Sequence, residues 1–162
     1  RIEGIVFDDN GRPATGVIVY AYHTDAGGVY PRDEDLRGHA AYRHGRLRGW
    51  VQTDERGRYR FETIRPASYP NSTIPAHVHM HIIEVGCCTY YIDSVKFDDD
   101  PLLSPVERKQ LATGRGGSGL VAPRRDANGV WIVRRDIRLG EGVPGYFEHT
   151  EQGEYDRRRV SE

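Results

Sequence analysis

An all-β fold, an antiparallel β-sandwich with one short helix and long loops beside its functional site, is what this sequence predicts. Three observations predict it. β-Branched and aromatic runs of strand length recur along the chain. Turn signals separate them, as in D-D-N-G at Asp8–Gly11, D-E-R-G at Asp54–Gly57 and A-N-G at Ala127–Gly129. Only one segment carries a convincing helix start. Many short strands with little helix bury their apolar faces best as two packed sheets.

Taken in order, Ile2–Phe7 opens the chain as a strand, and Val17–His23, V-I-V-Y-A-Y-H, supplies the next. The turn T-D-A-G-G-V-Y-P then delivers Tyr30 at a fixed place, where a tyrosine suits the core or rim as well as chemistry. From Arg32 to Gly49 the chain is polar and basic without a period. A connection of that length is a functional loop, a mobile one or an ordinary solvated one. Trp50–Thr53 and Arg58–Ile64 bracket Asp54–Gly57 and read as a hairpin. R-P-A-S leads through Tyr69 into a strand that runs to Val85. Gly86 breaks it, and Thr89–Phe97 is its expected partner. Ser104, Pro105 and Glu107 form a capping box with proline at the first helical position, for a helix ending near Gly114. The segment T-G-R-G-G-S-G at Thr113–Gly119 lacks the Lys-Ser/Thr of a phosphate loop and reads as a flexible connection into L-V-A-P. Val130–Leu139 is the last clear strand. Residues 1–140 are thus expected to form one domain and 141–162 a charged tail, with no internal repeat.

Composition bounds the function. The chain has 162 residues, enough for one real core. Its 23 Lys and Arg balance 24 Asp and Glu, a net charge of -1, so no global field recruits nucleic acid or an anionic membrane. Partners are to be sought at a site. The only cysteines, Cys87 and Cys88, are neighbours. Adjacent Cα atoms lie about 3.8 Å apart, below the roughly 4.4 Å usual for a disulfide, so both read as packed thiols. No apolar run reaches the ~20 residues of a membrane helix. The chain starts at Arg1, so a leader removed before it would place the protein outside the cell, and otherwise the cytoplasm is the expected compartment.

The stretch Tyr69–His81, Y-P-N-S-T-I-P-A-H-V-H-M-H, holds the chemistry. On a strand, His77, His79 and His81 point to one face. Imidazoles two apart on a rigid strand suit a metal, although H-x-H alone fits solvated surface histidines equally well. Pro70 and Pro75 restrict how the chain enters the strand. More donors elsewhere would decide it.

The run D-D-N-G-R-P-A-T-G-V-I-V-Y-A-Y-H-T-D-A-G-G-V-Y, the later T-D-E-R-G-R-Y-R-F-E-T-I-R-P-A-S-Y-P, and P-A-H-V-H resemble, in that order, the intradiol ring-cleavage dioxygenases, the family of catechol and protocatechuate dioxygenases. The resemblance covers Ile2 to Pro101. It implies a mononuclear non-haem iron(III), Fe(III), held by Tyr30, Tyr69, His77 and His79, with His81 outside the set. It also implies that Tyr30 stays bound while substrate displaces Tyr69, making both tyrosines part of the catalytic machinery. The expected reaction cleaves a catechol between its two hydroxyls with O2 and gives a muconate-type diacid. Charge supports this: ferric iron with two phenolates and a hydroxide is neutral, and stays neutral when a catecholate replaces one phenolate and the hydroxide, so burial costs little.

Departures from the family fall on the substrate side. Ile74 stands where the familiar members carry an arginine, and Ser94 where they carry a glutamine. Tyr22 stands where the family often has tryptophan and is expected to line the pocket wall. Arg48, in the basic loop, is the candidate for a positive charge near the substrate. The implied partners are a small, substituted catechol and O2, and a homo-oligomer is compatible with the chain. Two other functions compete: a non-catalytic β-sandwich binding module that retains a metal, and a cupin-like metal protein. His77, His79 and Glu84 match part of the cupin spacing, but Asn71 and Tyr91 stand where its glycines belong. Ferric tyrosinate would colour the protein wine-red, whereas a cupin site or a metal-free module would be colourless or nearly so.

Overall fold

The computed structural model describes residues 1–146. Its strands are β1 (Ile2–Phe7), β2 (Ile18–His23), β3 (Arg48–Gln52), β4 (Arg58–Phe61), β5 (His77–Glu84), β6 (Cys88–Phe97), β7 (Leu120–Val121), β8 (Arg124–Arg125), β9 (Trp131–Arg134) and β10 (Ile137–Arg138), with one α-helix, α1 (Pro105–Leu111). They form two sheets. One has the order β10-β1-β9-β8 with β4 on β1, and the other the order β3-β2-β5-β6-β7. Ile2, Val6, Tyr59, Val133 and Ile137 from the first sheet and Val19, Val78, Met80, Ile82, Ile92 and Val95 from the second share one buried cluster. The expected sandwich of many strands and one helix is present. Its sheets are mixed, because β9 and β10 run parallel to β1 and β7 runs parallel to β6.

The period of two is clearest in β5, where Val78, Met80 and Ile82 are buried and the three histidines lie on the opposite face. That face is the outer one of the sheet. Strand β2 runs beside β5 with Tyr20 opposite His81 and Tyr22 opposite His79, so two tyrosines join the histidines there. The β5–β6 hairpin forms as expected, and both cysteines beside its turn are free.

Three expectations need correction. Strands β3 and β4 are not a hairpin, since β3 pairs with β2 and β4 with β1, in different sheets. The turn between them crosses the sandwich. Its backbone is set by Asp54, whose carboxylate accepts from the N–H groups of Arg56 and Arg58, while the buried Thr53 hydroxyl ties its start to Ala14. The glycine-rich Thr113–Gly119 segment is packed, not a loose connection: Asp93 N–H donates to Arg115 O and Lys96 N–H to Gly119 O. The folded body also continues past residue 140, because Tyr146 is buried and its phenol meets Glu84. The rest of the expected tail, 147–162, lies outside the described residues. Helix α1 has its Ser104–Glu107 capping box in full. No helix among the described residues is long and apolar enough to cross a membrane.

Candidate metal centre

Two loops are fastened together so that their tyrosines meet. In the first, the Asp25 carboxylate accepts from Gly27 and Val29 N–H and closes the turn that leads to Tyr30. Gly28 has φ +78°, and a Cβ there would lie 1.9 Å from Ser68 O. Only glycine permits that approach. Thr24 Oγ1 donates to Ala67 O at 2.7 Å, and Ala67 N–H donates to Asp25 O. In the second loop, Pro70 and Asn71, the latter with φ 58°, occupy the middle of a turn closed by Ser72 N–H on Tyr69 O. Proline followed by a residue of positive φ is the pattern of a type II turn. It aims Tyr69 back at β5.

The result is a convergence of four donor atoms. The phenol oxygens of Tyr30 and Tyr69 are 2.9 Å apart, Tyr69 is 3.1 Å from Nε2 of His77, and that nitrogen is 3.1 Å from Nε2 of His79. Metal–nitrogen and metal–oxygen bonds are roughly 2 Å long, so donors at right angles around one ion lie about 3 Å apart. The spacing fits a single ion. Nδ1 of His77 lies 2.8 Å from Pro75 O, which can only accept, so the proton is on Nδ1 and Nε2 offers its lone pair. On His79, Nδ1 lies 3.3 Å from Ser94 Oγ. Among the described residues no three His, Cys, Asp and Glu side chains gather closely enough to hold an ion, so a metal here depends on the phenols.

Electrostatics point the same way. Burial disfavours the charged form of both imidazoles, with His79 pulled down to about 4 by desolvation first and then by the neighbouring histidines, and His77 lowered by desolvation. Burial, then Tyr69, pushes the Tyr30 phenol up. Such a phenol ionises only beside a cation, which inverts the preference.

The remaining predicted residues separate. Tyr22 stacks on His79 with ring centroids 4.6 Å apart and stands 6.2 Å from Tyr30, so its ring lies beside the four donors. Burial raises it to about 12. The Arg48 guanidinium is held by the Asp33 carboxylate at 3.0 Å and by Gly45 O. Its charge is already matched, and it fastens the basic loop. Ile74 is 46% exposed on the turn before Pro75. Ser94 addresses the back of His79. Outside the four donors, His81 packs against Tyr91 at 3.9 Å. Glu84, the third cupin-like position, is engaged by the phenols of Tyr90 and Tyr146, away from the two histidines.

One participant had no signal in the sequence. His44, from the aperiodic loop, stacks on Tyr22 at 3.8 Å and lies 2.7 Å from the Tyr20 phenol. It extends the ring stack that begins at His79.

Comparisons with known proteins bear on the family. A family model described as Dioxygenase matches residues 1–126. The protocatechuate 3,4-dioxygenase beta chain of Burkholderia cepacia is 30% identical over 108 residues, covering 64% of this chain and 46% of that protein. Catechol 1,2-dioxygenase of Candida albicans is 28% identical over 101 residues, covering 52% of this chain and 32% of that protein. The chain therefore spans less than half the length of these relatives. Among solved structures, catechol 1,2-dioxygenase from Pseudomonas arvilla C-1 superposes with TM-score 0.61 at 25% identity, over 85% of this chain and 50% of that one. The 3-chlorocatechol 1,2-dioxygenase from Rhodococcus opacus 1CP gives 0.62 at 21% identity, over 86% and 58%, and shares the fold.

Proposed function

Because this chain belongs to the intradiol dioxygenase family, we propose that it is a non-haem iron(III) dioxygenase that cleaves a substituted catechol between its two hydroxyls with O2, giving a muconate-type diacid. The observation that carries this is the convergence of two phenols and two imidazoles, with successive donor atoms 2.9, 3.1 and 3.1 Å apart. Tyr30, Tyr69, His77 and His79 would hold the ion. When bound, iron(III) supplies Lewis-acid polarisation of the catechol and a template on which the two substrates meet.

The chain's own groups supply the rest. The Tyr69 phenol stands between Tyr30 and His77 in the row of donors, on a turn carried by Pro70 and Asn71, and would be the one to yield to substrate and take a catechol proton on its oxygen. Tyr30 would stay bound, as the family resemblance implies. His77 keeps its Nδ1 proton on Pro75 O and so keeps a lone pair on the ion. Tyr22 orients the substrate ring by closing one side. Its ring centroid lies 6.2 Å from that of Tyr30, and its phenol is not one of the four converging donors.

Purified protein loaded with ferric iron and mixed with a panel of catechols in an oxygen electrode tests this. Oxygen uptake matched to the appearance of a muconate chromophore is expected. A wine-red protein that consumes no oxygen with any catechol would instead support the metal-retaining binding module.

A further inference from the structure

The second sheet carries one extra residue opposite a proposed ligand. Strand β6 pairs Val95 with Val78 and Ile92 with Met80, so Asp93 and Ser94 together face the single residue His79. That is the count of a β-bulge. Ile92 and Val95 are both buried, a spacing that an unbroken strand of period two cannot give. The slip keeps Ser94 on the outer face and brings its Oγ to 3.3 Å from Nδ1 of His79.

The bulge is gripped from both sides. Asp93 N–H donates to Arg115 O, and the Asp93 carboxylate accepts from Arg115 N–H at 3.1 Å and Nε at 3.0 Å. The glycines of this loop allow the approach: a Cβ on Gly114 would lie 2.1 Å from Asp93 Oδ2, and one on Gly119 2.7 Å from Ser94 O. From the other side, Nη1 of Arg135 donates to Asp93 O. Arg135 is only 1% exposed. Among the described residues its other guanidinium hydrogen bonds are to Arg115 O at 3.4 Å and the Met80 sulfur at 3.9 Å, and its Nε has no hydrogen-bond partner. A guanidinium buried on carbonyls and a thioether is costly, and a well-packed apolar side chain often serves stability as well or better. Burial of a charge on so few partners calls for a role beyond packing.

We infer that Arg135 is a positioning residue for the metal centre. By holding Asp93 O it fixes the bulge that keeps the Ser94 hydroxyl on His79, so that His79 carries its proton on Nδ1 and presents a bare Nε2 beside Tyr30, Tyr69 and His77. The inference rests on the ferric centre proposed above. Arg135 lies beyond the segment that the family model matches, 1–126.

Arg135→Met removes the guanidinium while filling the space, Ser94→Ala removes the hydroxyl alone, and Arg135→Lys keeps one charged donor. Iron(III) affinity, measured by competition with a chelator, should fall about 10–100-fold in the first two, as is usual when a metal-bound histidine loses its outer partner. The tyrosinate charge-transfer band should shift with it. The double variant should lose little more than either single one, because both act on the same contact, and Arg135→Lys should recover part of the loss. Additive losses, or unchanged affinity and band in folded Arg135→Met, would overturn the inference. A wild type that takes up no iron fails the ferric centre and this inference together, whereas iron uptake with additive losses fails this one alone.

Discussion

Phenol and imidazole respond differently to a cation, which makes the four proposed ligands separable by experiment. A phenolate gives ferric iron its colour, whereas a neutral imidazole contributes affinity. Tyr30→Phe and Tyr69→Phe should therefore remove or shift the visible band, His77→Ala and His79→Ala should lower iron content, and His81→Ala should do neither. Iron and colour surviving the loss of both tyrosines would sink the assignment. Acid offers a second handle. Burial holds the folded His79 near 4, below the roughly 6.5 of an unfolded histidine, and lowers His77 as well. The unfolded chain then binds more protons between these values, so this part of the metal-free protein's stability is complete above about pH 6.5 and is lost as pH falls toward 4. Melting temperatures of the metal-free protein across that window should decline, and His79→Gln should flatten the decline. An equally steep decline in the variant would assign it to other groups.

At the level of elements, the centre is a meeting of one strand and two loops, and the loops are the sensitive part. Gly28→Ala would force a Cβ to 1.9 Å from Ser68 O at a φ of +78°. Non-glycine strain of this kind costs roughly 1–3 kcal/mol, and here it also separates Tyr30 from Tyr69. The variant should lose the charge-transfer band while keeping the β-sheet circular dichroism of the wild type; a full band would show that the loops yield elsewhere. The strand was legible in the sequence because His77, His79 and His81 alternate with Val78 and Met80. The meeting of Tyr30 with Tyr69 was not, since no local pattern encodes the contact of Gly28 with Ser68, and the ordered family motifs supplied it instead. The supposed β3–β4 hairpin failed for a related reason: Asp54–Gly57 has good turn chemistry, but turn chemistry does not say whether the strands it joins enter the same sheet. The bulge left a trace in the apolar positions Ile92, Val95 and Phe97, where the spacing changes from three to two. Its link to Arg135 depends on a contact across the whole core.

For the molecule as a whole, the sandwich presents the candidate metal centre on the outer face of one sheet, bordered by the loop 32–47, and this determines which charges can reach a bound ring. Arg48, the candidate for a positive charge near the substrate, is engaged, and so is Arg65, which precedes the Tyr69 loop in the chain. Arg48 is bound to Asp33, and Arg65 makes two hydrogen bonds to Asp99 and lies over the Phe97 ring. The family's own arginine position is Ile74, which is 46% exposed and carries no charge. A preorganised donor beside developing negative charge can be worth roughly 3–4 kcal/mol, or about 10²–10³ in rate. Without it, the ring must do more of the work, so an electron-rich or apolar-substituted catechol should be a better substrate than catechol itself. The expected result is a kcat/KM that rises along a series of apolar 4-substituted catechols for the wild type. In Ile74→Arg, plain catechol should gain by up to about 10²-fold while the preference for the apolar substituent shrinks. Fast turnover of plain catechol by the wild type would mean that another group already stabilises that charge, and Ile74→Arg would then change little.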